Sequence, residues 1–212
     1  DSLLGNISPT DLIVDTVNIT GKDCRGAILA DTVNLRHSGK LIIHNSDFEG
    51  NVISVDNRTS GIIGQLYLNS GGTVDFSRVD VKIDGGIATS SYSFKEPLTA
   101  GLIGKIENNE QDSNIYVSEC TVDAKVSGKT TDGYTYAYAG GLFGKVSANY
   151  IYIDACSLYG SVKAQGYKGY SGGIMGYVAC RSYLIQNCQV WTEVGRVWNG
   201  ASGQFFGSAG FI

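Results

Sequence analysis

Five cysteines, two histidines and a scatter of carboxylates carry most of the reactive chemistry in this 212-residue chain. An odd cysteine count leaves at least one thiol free or paired with another chain. No histidine or fourth cysteine stands at a metal-ligand spacing from Cys120, Cys156 and Cys188, so no metal centre is expected. Cys24 and Cys180 are widely separated and are candidates for a disulfide between neighbouring chains. The acids Asp80, Asp84, Asp123 and Asp154, with Lys82 and Lys125 nearby, read as solvated surface charge, and His37 and His44 have no evident catalytic partner. The expectation is a protein without an active site and without a cofactor.

Two further residue sets bear on recognition. Tyr92, Tyr134, Tyr136, Tyr138, Tyr167 and Tyr170 cluster in Gly-rich connections and would form one contact patch suited to protein or sugar. The triplets opening at Asn6, Asn18 and Asn57 permit N-glycosylation on a eukaryotic secretory route.

These side chains are positioned by an internal repeat. Gly61-Ile62-Ile63-Gly64, Gly101-Leu102-Ile103-Gly104, Gly141-Leu142-Phe143-Gly144 and Gly173-Ile174-Met175-Gly176 recur, flanked by degenerate copies at Ala27-Ile28-Leu29-Ala30 and Gln204-Phe205-Phe206-Gly207. After each motif, columns align. Ser46, Val79, Cys120, Cys156 and Cys188 form one, which makes the three cysteines a buried thiol column. Three residues earlier stand Ile43, Phe76, Val117, Ile153 and Ile185; two later, Phe48, Val81, Val122, Leu158 and Val190; six later, Val52, Gly85, Val126, Val162 and Val194. Polar residues such as Asp47, Asp80, Thr121, Ser157 and Gln189 alternate with them, the period of a half-buried strand.

Three strands per repeat in register predict an all-β, single-domain parallel β-helix over residues 1–212, right-handed by default. Roughly five full coils start near residues 27, 61, 101, 141 and 173, between partial coils at 1–26 and 204–212. Twenty-nine glycines against two prolines agree with many tight turns. The net charge of -4 gives no basic stripe for nucleic acid, and no apolar run reaches bilayer-spanning length.

The recurring motif, twice preceded by a further glycine at Gly140 and Gly172, resembles the GLUG-motif repeat. That resemblance implies a secreted or cell-surface protein with a structural or adhesive role. No His-Glu-x-x-His peptidase signature accompanies it here. Leu12, Val14, Val17 and Ile19 match the second half of a coil, whereas Phe205, Phe206, Phe211 and Ile212 provide only a motif strand. An unprotected strand edge templates pairing. The expectation is therefore a filament, sheath or coat subunit that joins copies of itself head to tail. The alternative is an adhesin stalk or a glycan- or protein-binding module using the tyrosine corner.

Overall fold

The computed structural model describes residues 2–55, 59–90, 96–108, 112–130, 135–166, 168–197 and 208–209. Among them there is no helix, and every strand pairing is parallel. Strands of one repeat pair with those of the next, roughly 30 to 40 residues on, so three ladders run through the chain.

The first ladder joins Asn6–Ile7, Ala30–Asn34, Ile63–Leu68, Ile103–Asn108, Phe143–Asp154 and Met175–Gln186. In the second, Leu12, Leu41, Val74, Ile115, Ile151 and Tyr183 pair in succession. In the third the succession is Ile19, Phe48, Val81, Val122, Leu158 and Val190. Long strands such as Lys40–Val55 and Thr73–Ser90 run without a break through the second and third ladders, which makes one large sheet of them. Burial alternates residue by residue, as along Thr121–Thr130. The inward rows of all three ladders, from Cys24 to Ile174, form one contiguous apolar core.

The bend between the second and third ladders is made by one residue per repeat. Thr16, Asn45, Arg78, Glu119, Ala155 and Asn187 all hold left-handed backbone, with φ of 48 to 55°. Each stands immediately before the row of Val17, Ser46, Val79, Cys120, Cys156 and Cys188. The turn amides bond onward to the next repeat: Thr16 N–H to His44 O at 3.1 Å, Glu119 N–H to Asp154 O at 3.0 Å and Ala155 N–H to Gln186 O at 3.2 Å. A conformation unfavourable for L-residues is thus held by inter-repeat hydrogen bonds.

At the motif glycines Gly101 and Gly141, close approach rather than φ requires glycine. A Cβ on Gly101 would overlap the Gly141 carbonyl oxygen, and one on Gly141 would overlap that of Gly173. Backbones stack without intervening side chains, with Gly101 N–H bonded to Gly141 O at 2.9 Å.

Three details depart from the sequence-based expectation. Val52 and Val126 pair with Gly86 rather than Gly85, because the strand Thr73–Ser90 carries a bulge beyond Ile83. An extra residue there shifts the register by one. The first motif copy is also offset: Ala30 pairs with Ile63, so Asp31 stands in the row of Gly64. Finally, the connections before the motif contain strands. Thr59–Ser60, Leu98–Ala100, Tyr136–Gly140 and Lys168–Gly172 form a separate parallel sheet, joined as a fifth strand by Ser208–Ala209, which takes the rows of Ser171 and Gly172 although it follows Gln204-Phe205-Phe206-Gly207.

Candidate functional surfaces

Cys120 and Cys156 are each 1% exposed, and Cys188 is half-buried in the last described repeat. All five cysteines are free thiols. In each of the three, Sγ lies close to the carbonyl oxygen two residues earlier: 3.2 Å from Ser118, 3.2 Å from Asp154 and 3.1 Å from Gln186. Ser46 repeats this contact upstream, its hydroxyl donating to His44 O at 2.6 Å. The Cys156 thiol stands between those of Cys120 and Cys188, its neighbours in the row. The contact to Cys120, together with burial, pushes Cys156 well above the usual thiol range, and burial also raises Cys188. Cys24 is buried opposite Val52, and Cys180 is half-buried opposite Ala148; burial raises both thiols.

Tyr136, Tyr138 and Tyr170 come together on two strands of the five-stranded sheet. Tyr138 and Tyr170 pair across it and stack, with centroids 5.1 Å apart and planes within 8°. Tyr136 tilts against both rings. Tyr177, from the adjacent motif strand, meets both edge-on at 5.7 and 5.9 Å. Lys145 Nζ lies 4.7 Å from the Tyr138 ring centroid and pairs with Glu96 at 2.8 Å, while the Tyr138 hydroxyl donates to Glu96 at 3.3 Å. Burial, with the Glu96 charge beside it, drives the Tyr138 phenol far above its ordinary value. Tyr92, Tyr134 and Tyr167 lie outside the described residues.

Sequence reasoning missed Tyr177, which lies beyond the motif rather than before it. It also missed an exposed pair on the third ladder. Tyr159 and Trp191 are cross-strand partners, 38% and 57% exposed, and stack at 5.0 Å within 14°. Aromatic residues spaced one repeat apart and outside the inward columns are the signal that could have found the pair.

The charged residues of the third ladder form exposed ion pairs. Lys82 joins Glu49 at 2.8 Å and Asp84 at 3.8 Å, and Lys125 joins Asp84 at 3.1 Å, all on well-exposed side chains. The Lys125 ammonium lowers the affinity of Asp84 for its proton. Hydrogen bonds from Asn187 and Tyr152 do the same for Asp154. Both shifts run opposite to what a general acid at neutral pH needs. Asp123 stands in the row of Glu49 and Lys82, and Asp80 in a separate row opposite Asp47 and Thr121. His44 Nε2 approaches Asp75 Oδ2 at 3.4 Å, and His37 stands apart at an exposed turn with φ of 53°. Among the described residues no three His, Cys, Asp or Glu side chains converge as metal ligands would, and no helix is long and apolar enough to cross a membrane. Asn6 and Asn18 are exposed on strands of the first repeat; Asn57 lies outside the described residues.

The two terminal edges carry the remaining candidates. Leu12–Asp15 and Asn18–Arg25 pair on one side only among the described residues, with Lys40–Val55. Leu12, Val14, Val17 and Ile19 point at the core yet are only partly buried. At the other edge, Met175–Gln186 and Gln189–Val197 likewise pair on one side among the described residues. Tyr183 continues the row in which Ile151 is 0% exposed, but is itself 58% exposed. Phe205, Phe206, Phe211 and Ile212 lie outside the described residues.

No family model, curated protein or solved structure matches the chain.

Proposed function

We propose that the chain is a right-handed parallel β-helix serving as an extracellular structural subunit, and that copies stack end to end into a surface filament, sheath or coat. The observation that carries this reading is the match between the two terminal edges. Continuing the rows across a head-to-tail join sets Leu12 of the next copy beside Tyr183, Val14 beside Ile185, Val17 beside Cys188, Ile19 beside Val190 and Cys24 beside Val194. Each is an apolar side chain meeting an apolar side chain already packed on the core or exposed at its edge. Backbone pairing on both ladders would add to this burial.

One feature fits the join in detail. The first strand of the third ladder, Asn18–Arg25, is bulged between Gly21 and Cys24, whereas Gln189–Val197 pairs with its neighbour in even register. A straight strand followed by a bulged one already occurs inside the chain, where Lys40–Val55 precedes Thr73–Ser90. The extracellular setting rests on the resemblance of the Gly-Leu-Phe-Gly repeats to GLUG repeats.

Electron microscopy of the purified protein tests this. The expected result is filaments with a subunit rise of about 30 Å, the height of six strands at the ~4.8 Å strand spacing. Dispersed monomers at high concentration would defeat it. A second reading, an adhesive or glycan-binding module, is favoured by the block of Tyr136, Tyr138, Tyr170 and Tyr177 around the Lys145–Glu96 pair. Saturable binding of sugar by monomers, abolished by removing Tyr136 and Tyr170, would select it.

A further inference from the structure

Sulfur is confined to the last three positions of the turn row. Val17, Ser46 and Val79 occupy it in earlier repeats; Cys120, Cys156 and Cys188 follow at the turns of successive repeats. Register is even on both sides of the last pair, with Asp154 opposite Gln186 and Ser157 opposite Gln189. Gln189 N–H donates to Cys156 O at 2.8 Å, which draws the two backbones together at this point. Neighbouring parallel strands hold paired Cα atoms about 4.8 Å apart, inside the range a disulfide spans.

We propose that Cys156 and Cys188 form an oxidation site, closed to an intrachain disulfide by exchange with a small-molecule disulfide such as oxidised glutathione. The Cys188 thiolate attacks one sulfur of the reagent and expels one thiolate, leaving a mixed disulfide. The Cys156 thiolate then attacks the Cys188 sulfur, forming the Cys156–Cys188 bond and expelling the second thiolate. Two protein thiols are oxidised, one small disulfide is reduced to two thiols, and the two protons leave with them.

The order follows from access. Cys188 is half-buried in the turn between the two edge strands, whereas Cys156 and Cys120 are each 1% exposed, so the reagent meets Cys188 first. The mixed disulfide is short-lived because Cys156 stands directly across from Cys188 in even register, with Cys188 Sγ reaching to 3.9 Å from Ile153 O on the Cys156 side. Cys120 is left over, since Cys156 can bond only once. The chain contains its own control. Cys180 is also half-buried, on an edge strand, but faces Ala148 across the ladder, so it has no thiol to resolve it and keeps the reagent. Burial raises the Cys188 thiol, so exchange speeds up as pH rises toward the thiol range. The closed bond ties residues 175–197 to the preceding repeat.

The test is non-reducing peptide mapping of the reduced, folded full chain after incubation with oxidised glutathione. The expected products are a Cys156–Cys188 linked peptide two hydrogens lighter than its parts, and Cys180 carrying one glutathione. Cys120→Ser keeps the link, while Cys188→Ser loses it and leaves Cys156 a thiol. Cys188 recovered as a stable glutathione adduct, Cys188 recovered as an unreacted thiol, or a Cys120–Cys156 link in its place would each overturn the proposal. Because the wild-type chain is itself mapped, a misfolded variant does not remove the answer.

Discussion

Replacing Ala155 by glycine is expected to stabilise the protein, against the usual direction for a glycine placed in β-structure. Ala155 is exposed, has only a methyl group to lose, and sits at φ 51° in the left-handed turn row. Left-handed backbone costs an L-residue roughly 1–2 kcal/mol relative to its preferred region. Glycine removes that penalty but gives the unfolded chain extra freedom worth about 0.4–1 kcal/mol. The difference is a net gain of between about 0 and 1.6 kcal/mol, centred near ~0.8 kcal/mol. The hydrogen bond from the Ala155 amide to Gln186 O is unaffected, since it belongs to the backbone. For a chain of this size the gain corresponds to a rise in melting temperature of about 1–4 °C. Denaturant titration of wild type beside Ala155→Gly and Ala155→Val measures it, the valine being expected to destabilise because a branched side chain is worst in this region. A glycine variant less stable than wild type, with a tolerated valine, would mean that the turn carries no strain.

Gly141→Ala is expected to lower stability by about 1–3 kcal/mol or more, because the new methyl group would overlap the Gly173 carbonyl and neither backbone can yield cheaply; the denaturant midpoint reads it. Acidification should weaken the turn at Asp154, whose folded affinity for a proton is depressed by Asn187 and Tyr152. That contribution is complete above the ordinary carboxylate value of 3.8 and lost as pH falls through the lower folded value, so Asp154→Asn should flatten the melting temperature across this acid range. Tyr138 runs the other way. Its phenol is held neutral in the fold, so above its ordinary value of 10 the unfolded chain ionises first and stability declines. Ultraviolet titration of the folded protein should show Tyr138 ionising late, and Tyr138→Phe should remove that late step. Filament formation, if it proceeds through the matched edges, should be blocked by Val14→Lys, with sedimentation showing monomers that keep their melting temperature within a few degrees.

The parallel ladders and their inward rows were legible because alternation at period two repeats five times over, and one aligned row of Val, Phe and Ile implies the next. Side chains report burial well, and burial is what those columns encode. The bulge at Gly85 was not legible, since Gly85 and Gly86 offer the same residue to either register. The left-handed turn row was equally hidden. Asn45 and Asn187 are residues that tolerate such backbone, but Arg78, Glu119 and Ala155 carry no mark of it, and it is the inter-repeat hydrogen bonds that impose it. The tyrosine patch was read from clustering alone. Clustering found Tyr136, Tyr138 and Tyr170 but could not tell that they lie on strands, nor that Tyr177 folds back against them.

Every rung described above joins residues far apart in sequence, and almost nothing pairs within a repeat. Such a chain has no inexpensive local structure to nucleate on, because each first contact must close a loop of about thirty residues or more. Once one pair of repeats has docked, however, its free edge presents a finished template of amides, carbonyls and apolar side chains. Each further repeat then adds with far less entropy lost for every hydrogen bond it makes. Folding of this protein should therefore be slow to begin and rapid to spread, proceeding outward from one pair of repeats like growth on a seed.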